Sequence, residues 1–408
     1  MPSATQPSRP AYHRVVDEQR ALGPDRLLLR LRTLYPEYVG ASARVIRAPG
    51  RVNLIGEHTD YNEGFVLPVA IDLEVRMAVV PSDRPRIRLA RDDDGDTASI
   101  DLAELLPPAG RWHDYVAGTA WALAEAGHPI GGFDGLLAST VPIGAGLSSS
   151  AALELASAWA LWGPDGPAVL PLELARIAQH AENDYVGVRC GLMDQFASAC
   201  GVAGHALLLD CRSLEWRPVA LPDDLAIVVI HSGVAHAHGD NEYNERRAAC
   251  ERAVAIIAED ELQVTSLRDV DMTMLEASHP KLDAVTFDRA RHVITENQRV
   301  LDAVAALESG DHASLGELMA ASQASMRDHY QVSCPEIDEL VDITVASPGV
   351  VGSRMTGGGF GGCTVTLVAP DAVDALRARV ERDYPTRTGL TPRLWVLSAV
   401  DGAGFVAS

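Results

Sequence analysis

Lysine is almost absent from this chain of 408 residues: among its 34 basic residues only Lys281 is a lysine, and the rest are arginines. Lys281 sits in an HPKLD stretch with no glycine-rich loop around it. A Walker A loop and a protein-kinase active site each put a specific lysine on the nucleotide phosphates, so both are excluded. Lysine Schiff-base chemistry, with a single candidate, is disfavoured. Positive charge is scarce altogether. Against 56 acidic residues the net charge is −22, which argues against nucleic acid or an anionic membrane as a partner. An anionic substrate must instead be held by backbone N–H groups, a few arginines or a metal ion. The six cysteines form no C-x-x-C pair, so neither a zinc site nor a disulfide framework is expected, only small buried thiols in a reducing compartment. No apolar run approaches the length of a membrane span. The opening MPSATQPSRPAYHRVV has no apolar signal-peptide core. A cytoplasmic protein is expected.

What is present is a globular composition, 47% apolar and 22% charged, over a length that suits two or three domains. Residues 1–13 read as a frayed polar tail. Pro24 through Leu34 reads as a helix with Leu27, Leu28, Leu31 and Leu34 on one face. From Arg44 to Arg91 the pattern turns to strands, and Leu73, Val75, Met77 and Val79 alternate with Glu74, Arg76 and Ala78 as in a half-buried strand. RDDDGD at 91–96 reads as a solvated turn. Helices near 114–126, 149–162 and 171–186 follow, with a short one near 192–200. The turn-rich segment 213–224 is the expected domain boundary, ahead of the strand at 225–231. Four helices, two strands around a glycine loop, a helix near 371–383 and a strand near 393–399 complete an α+β pattern.

Four stretches carry chemistry. In Val141–Glu154 a strand runs into the turn Gly144-Ala145-Gly146-Leu147-Ser148-Ser149-Ser150 and then a helix. The glycines admit close backbone approach, and the new helix offers unpaired N–H groups at its positive end. This is an anion cradle that needs no lysine, with serine hydroxyls that can cap the helix or ligate Mg²⁺; the plainer reading is a simple N-capped strand-to-helix turn. In Ala48–Tyr61, Arg51, Glu57, His58 and Asp60 cluster between apolar segments, suiting a ligand with many hydroxyls. A structural ion-pair turn and a partial His58-x-Asp60 metal site are the competing readings. The third stretch joins Glu182 on a helix to Asp194 at the start of the next, where the dipole favours a carboxylate; a helix-start aspartate without chemistry and an exposed helical glutamate are the plainer readings. The fourth is Ser353–Cys363, with five glycines in six positions, more than a hairpin needs and suited to close approach.

Taken together, these stretches resemble the GHMP family of sugar kinases and, within it, the galactokinase family. The run Gly50–Tyr61 fits the galactokinase signature at every position, Pro142–Ala152 the nucleotide loop, and Met355–Gly362 the third glycine motif. The resemblance spans about residues 44 to 400. It implies ATP- and Mg²⁺-dependent phosphorylation of the anomeric hydroxyl of α-D-galactose in a two-domain α+β fold. An N-terminal mixed-sheet domain at 14–215 and a ferredoxin-like C-terminal domain at 222–408 would enclose the active site in their cleft. By the same resemblance Glu57, His58, Asp60 and Tyr243 bind the sugar. Gly144 through Ser150 bind the ATP phosphates, and Trp112 lies beside the adenine. Ser150 and Glu182 hold Mg²⁺, Asp194 is the base, and Arg51 stabilises the adjacent charge. The partners would be galactose and ATP alone, with the chain working as a monomer.

Two departures stand out. The family's Trp-x-Asn-Tyr is Trp112-His113-Asp114-Tyr115 here. Eight residues before Tyr243, where a basic residue is common, stands Ala235, with His236 and His238 as stand-ins or as a His-x-His metal site. Kinases of N-acetylgalactosamine, arabinose, mevalonate or homoserine are the enzymatic rivals; Glu57, His58 and Asp60 favour a polyhydroxyl sugar over the last two. A non-catalytic sugar sensor is the rival of another class, opposed by the intact Ser148-Ser149-Ser150 and Asp194.

Overall fold

The computed structural model describes residues 22–38, 42–163, 165–234 and 239–406. The expected tail at 1–13 and the Ala235, His236 and His238 positions lie outside the described residues.

The elements in chain order are α1 (Pro24–Leu34), β1 (Arg44–Asn53), β2 (Phe65–Val66), β3 (Pro68–Ser82), β4 (Arg86–Arg91), β5 (Thr97–Asp101), α2 (Asp114–Glu125), β6 (Gly132–Ser139), α3 (Ser149–Trp162), α4 (Pro171–His180), α5 (Met193–Cys200), β7 (His205–Asp210), β8 (Trp216–Ala220) and β9 (Ala226–His231). There follow α6 (Gly239–Ile257), α7 (Met272–Ser278), α8 (Ala284–Ser309), α9 (His312–Ser325), α10 (Pro335–Val345), β10 (Val350–Thr356), β11 (Cys363–Val368), α11 (Val373–Thr388), β12 (Arg393–Leu397) and β13 (Gly404–Phe405). Among the described residues they build three sheets, ordered β13-β1-β3-β6-β4-β5, β10-β11-β9-β12 and β2-β7-β8. The second is the βαββαβ order of a ferredoxin-like half. The first is mixed, antiparallel except where β4 runs parallel to β6.

β3 departs from the half-buried pattern. Leu73, Val75, Met77 and Val79 are buried, and so are Glu74, Ala78 and Val80 on the other face. Leu27 and Leu31 of α1 cover that second face, packing with Ala78 and Val80, while Glu74 is clasped by Arg47 and Arg76. α3, rich in alanine, lies against β1 and β3 because its small side chains let the helix approach closely.

The expected boundary at 213–224 contains a strand, β8, paired with β7. Pro218 is tolerated there because β8 is an edge strand and need not donate on its open side. The chain end also crosses back over the expected 14–215 and 222–408 division: β13 pairs with β1, and the Val400 N–H donates to the Ala70 carbonyl. One hydrophobic cluster joins Val52, Leu67 and Leu147 to Val229, Val300 and Trp395, so both halves share a core.

The single helix expected over 171–186 ends at His180 and continues as a π-helical turn, Ala181–Val186, that carries Glu182. A second such turn, Met326–Tyr330, follows α9 and carries Tyr330. Among the described residues no helix is long and apolar enough to cross a membrane. All six cysteines are free thiols.

Candidate active site

The site is built around a bulge in β1. Its register against β3 shifts between Pro49 and Arg51. A side chain at Gly50 would meet the Leu147 carbonyl at 2.6 Å, so glycine there admits the 144–150 loop against the strand. Arg51 then donates its backbone N–H to the Leu147 carbonyl and its Nη1 to the Gly146 carbonyl at 2.5 Å. Its Nε and Nη2 close a bidentate pair on Asp194, at 2.8 Å to Oδ1 and 2.7 Å to Oδ2. Ser148 donates a third bond to Asp194, 2.6 Å from Oδ2. A carboxylate offers about four acceptor positions; three are filled by the protein, and the remaining one is available to a hydroxyl.

Ser148 precedes α3 in the left-handed region, φ +60°, and makes no side-chain capping bond to the helix. Its hydroxyl serves Asp194 instead. The first N–H groups of α3 are therefore left without that cap, which makes the turn an anion cradle and not a self-satisfied one. The fourth stretch closes over it: Gly357 at φ +87° would bring a Cβ within 2.8 Å of the Gly146 carbonyl. Its glycines thus approach protein backbone, while Gly357, Gly358 and Gly359 also line a chamber of about 400 Å³.

That chamber also holds Arg51, Glu57, His58, Asp60, Asp194 and Tyr243. Glu57 is no surface ion pair. It is buried, accepts Asn53 Nδ2 at 2.9 Å and the Gly357 N–H at 3.1 Å, and pairs with the wholly buried Arg354. Burial holds its carboxyl above the usual range, against the pull of Arg354. Arg354 also donates to the carbonyls of Asn53 and Leu54, so one guanidinium ties the signature turn to β10. Glu296 of α8 sits below, accepting from the Gly56 N–H, Ser322 and Arg299. Burial, then the negative charge of Asp194, pushes Asp60 up to about 6. Gly191 is required beside it, because a Cβ there would lie 1.8 Å from Asp60 Oδ2. Burial drives His58 down to about 3, so its ring is neutral.

A second cleft, about 1030 Å³, shares Tyr115, Gly144, Ser149 and Ser150 with the chamber and runs out to Trp112. Trp112 is held by a hydrogen bond from its indole N–H to Asp96 of the acidic turn at 91–96, 2.8 Å. Asp114, at the family's asparagine position, accepts the N–H groups of Ala109 and Arg111, each at 2.8 Å. Glu182 is buried, with its carboxyl raised by burial and by Asp194, and hydrogen-bonded by Ser150 and Cys190. Gln195 bridges it to buried Glu154, at 2.5 and 3.0 Å. Ser150 and Glu182 offer oxygen donors only, the kind a hard divalent cation takes. Among the described residues no group of three His, Cys, Asp or Glu is arranged for a metal, at His58-x-Asp60 or at Ser150 and Glu182, so any cation at either place would need further ligands from a substrate or water.

Sequence families agree with this geometry. Residues 33–81 match the galactokinase galactose-binding signature, 114–202 the GHMP kinases N terminal domain, and 303–386 the GHMP kinases C terminal domain. The galactokinase of Roseiflexus sp. (strain RS-1) is 47% identical over 92% of this chain and 96% of its own length. The chain belongs to the galactokinase family. It is accordingly an ATP-dependent sugar kinase. The galactokinase of Chloroflexus aurantiacus is 46% identical over 92% of this chain and 97% of its own. The crystal structure of Lactococcus lactis galactokinase complexed with galactose superposes with a TM-score of 0.87 at 35% identity, covering 92% of this chain and 99% of that one. Methanococcus jannaschii mevalonate kinase, at 18% identity and TM-score 0.63, shares the fold.

The structure brings the expected site residues but one to these two cavities: Arg51, Glu57, His58, Asp60, Glu182, Asp194 and Tyr243 line the chamber, Trp112 the cleft, and Gly144, Gly146, Leu147, Ser148, Ser149 and Ser150 one or both, whereas Ala145 lines neither and is packed into the core beneath the loop. The sequence reading missed Arg354, Glu296 and Gln195. Arg354 lies inside the Ser353–Cys363 stretch, three positions before Gly357, and that place was the available signal; Glu296 and Gln195 read as ordinary helical residues.

Proposed function

We propose that the protein transfers the γ-phosphoryl group of ATP to the anomeric hydroxyl of α-D-galactose, giving galactose 1-phosphate and ADP. The observation that carries this reading is Asp194, fixed by Arg51 and Ser148 where the polar chamber opens onto the uncapped start of α3. In this reading the sugar occupies the chamber against Glu57, His58, Asp60 and Tyr243. Asp194 accepts or orients the proton of the attacking hydroxyl. Arg51 holds the carboxylate in register and offsets charge at the transfer point. The 144–150 backbone and the α3 N-terminus hold the triphosphate, and Trp112 flanks the base. Mg²⁺, held by Ser150 and Glu182, would neutralise phosphate charge. Phosphoryl transfer is loose, so positioning and electrostatics account for most of the acceleration.

The reading includes a monomeric, cytoplasmic enzyme whose partners are its two substrates. ADP release with Mg–ATP, measured across galactose, glucose, N-acetylgalactosamine, arabinose and mevalonate, tests it. Turnover strongest with galactose supports the assignment. Preference for another sugar overturns the substrate, and galactose binding without ADP release overturns the activity in favour of a sensor.

A further inference from the structure

Asp194 and Gln195 stand next to each other in the first turn of α5, and successive helical residues point about 100° apart. Asp194 turns to Arg51 and Ser148. Gln195 turns to two buried carboxylates: its Nε2 donates to Glu182 Oε2 at 2.5 Å and to Glu154 Oε2 at 3.0 Å. An amide nitrogen has two hydrogens, one for each carboxylate. The amide oxygen, by contrast, is buried with no hydrogen-bond partner among the described residues. Gln195 is itself wholly buried, so presenting the nitrogen to the carboxylates leaves that oxygen unpaired at a cost. The Cys190 sulfur lies 3.4 Å from the same Glu182 oxygen. Both contacts fall on Oε2, and Oε1 is the oxygen they leave for a ligand.

Glu154 is what Gln195 braces against. It lies one turn after Ser150 on α3, so the two share a face of that helix. It is wholly buried, and its Oε1 has no hydrogen-bond partner among the described residues. Burying such a group costs free energy that a leucine at the same position would not incur. The backbone of Glu182 is fixed by its carbonyl, which accepts the Gly187 and Val188 N–H groups at 2.9 and 3.0 Å, while its carboxylate is held by Gln195 and Cys190. We infer that Gln195, braced by Glu154, is a positioning residue that aims the Glu182 carboxylate at the divalent cation and ties that aim to the helical turn carrying Asp194. Carboxylates that bind metals depend on such outer hydrogen bonds to hold their direction. This rests on Ser150 and Glu182 being the cation site, with nucleotide phosphate and water supplying the remaining ligands.

Calorimetric titration with the non-hydrolysable analogue AMPPNP, once with Mg²⁺ and once with EDTA, isolates the metal-dependent part of binding without turnover. The wild-type protein should bind the magnesium complex more tightly than the bare nucleotide, and Glu182→Gln should remove most of that preference. Gln195→Met, close in volume but without the donor, should shrink the preference toward that of Glu182→Gln, by about tenfold, and leave bare AMPPNP and galactose binding within about threefold. Glu154→Met, which frees Gln195 to turn away, should act in the same direction and decides the question if Gln195→Met does not fold. In turnover assays Gln195→Met should raise the Mg²⁺ concentration that gives half-maximal rate, with the KM for galactose unchanged. An undiminished preference in a folded variant overturns the role. Equal weakening of bare nucleotide, magnesium complex and galactose also overturns it, being the mark of a general loosening. No magnesium preference in the wild type, or one kept by Glu182→Gln, overturns the cation site itself and the inference with it, so the two failures are told apart.

Discussion

Replacing Arg354 by methionine tests the buried pair that joins the signature turn to the glycine loop. Methionine fills much the same channel without charge. The change strands Glu57, which is 1% exposed, with Asn53 and the Gly357 N–H as its remaining partners, and it strips a donor from the carbonyls of Asn53 and Leu54. Breaking one side of a buried ion pair costs about 3–5 kcal/mol. With about 2.1 cal/mol/K of unfolding entropy per residue, a chain of this length has about 0.9 kcal/mol/K, so Tm should fall by about 3–6 °C. The loss should depend on pH. Burial already raises the Glu57 carboxyl and Arg354 pulls it down, so removing Arg354 raises it further. A carboxyl raised in the folded state contributes stability that is present at low pH and lost as pH rises through its folded pKa. Calorimetry should therefore find a larger Tm deficit at pH 7.5 than at pH 5. Arg354→Met/Glu57→Gln should melt above Arg354→Met alone, because no unpaired charge remains. A deficit under about 1 °C, or one equal at the two pH values, would refute the reasoning.

Three further outcomes follow from the site. Asp194→Asn should lower kcat by about 10²–10⁴ with the circular-dichroism spectrum unchanged; turnover near wild type would remove Asp194 from the mechanism. Gly191→Ala must displace Asp60, at a cost of about 1–3 kcal/mol, and should raise the KM for galactose while sparing that for ATP. Asp60 is held at about 6, chiefly by burial and then by Asp194. If its carboxylate accepts from the sugar, kcat/KM for galactose should fall as pH drops through about 6. The sugar-free protein should for its part lose the Asp60 contribution to stability as pH rises through the same value. A kcat/KM for galactose that stays flat between pH 5 and 7 would exclude Asp60 as an ionised ligand.

Local chemistry made much of this legible before any fold was known. The glycines of the 144–150 turn and the start of α3 announce an anion cradle, because N–H groups at a helix start are unpaired wherever the helix lies. The elements that fared worst depend on neighbours distant in the chain. β3 reads as half-buried because Glu74 and Arg76 interrupt its apolar face, and only the packing of α1 and the Arg47–Glu74–Arg76 cluster buries both sides. β8 reads as a linker because Pro218 weakens a strand, except at an edge. The π-helical turns bearing Glu182 and Tyr330 have no sequence signal, since each is an extra residue accommodated in an otherwise helical run.

The sequence by itself determined the absence of a phosphate-binding lysine, the cradle that replaces it and the polar residues suited to a sugar. These are properties of residue type and short spacing. Only the tertiary structure decided what those residues are bound to. It spends the Ser148 hydroxyl on Asp194 and not on the helix, and the Glu57 carboxylate on Arg354 about three hundred positions away. It also brings Tyr61, Tyr330 and Cys250 from separate parts of the chain into hydrogen-bond contact in series beside His58. Hydrogen-bond partners are set by proximity in space, and burial sets the charge state of each group; neither is written in the order of the chain.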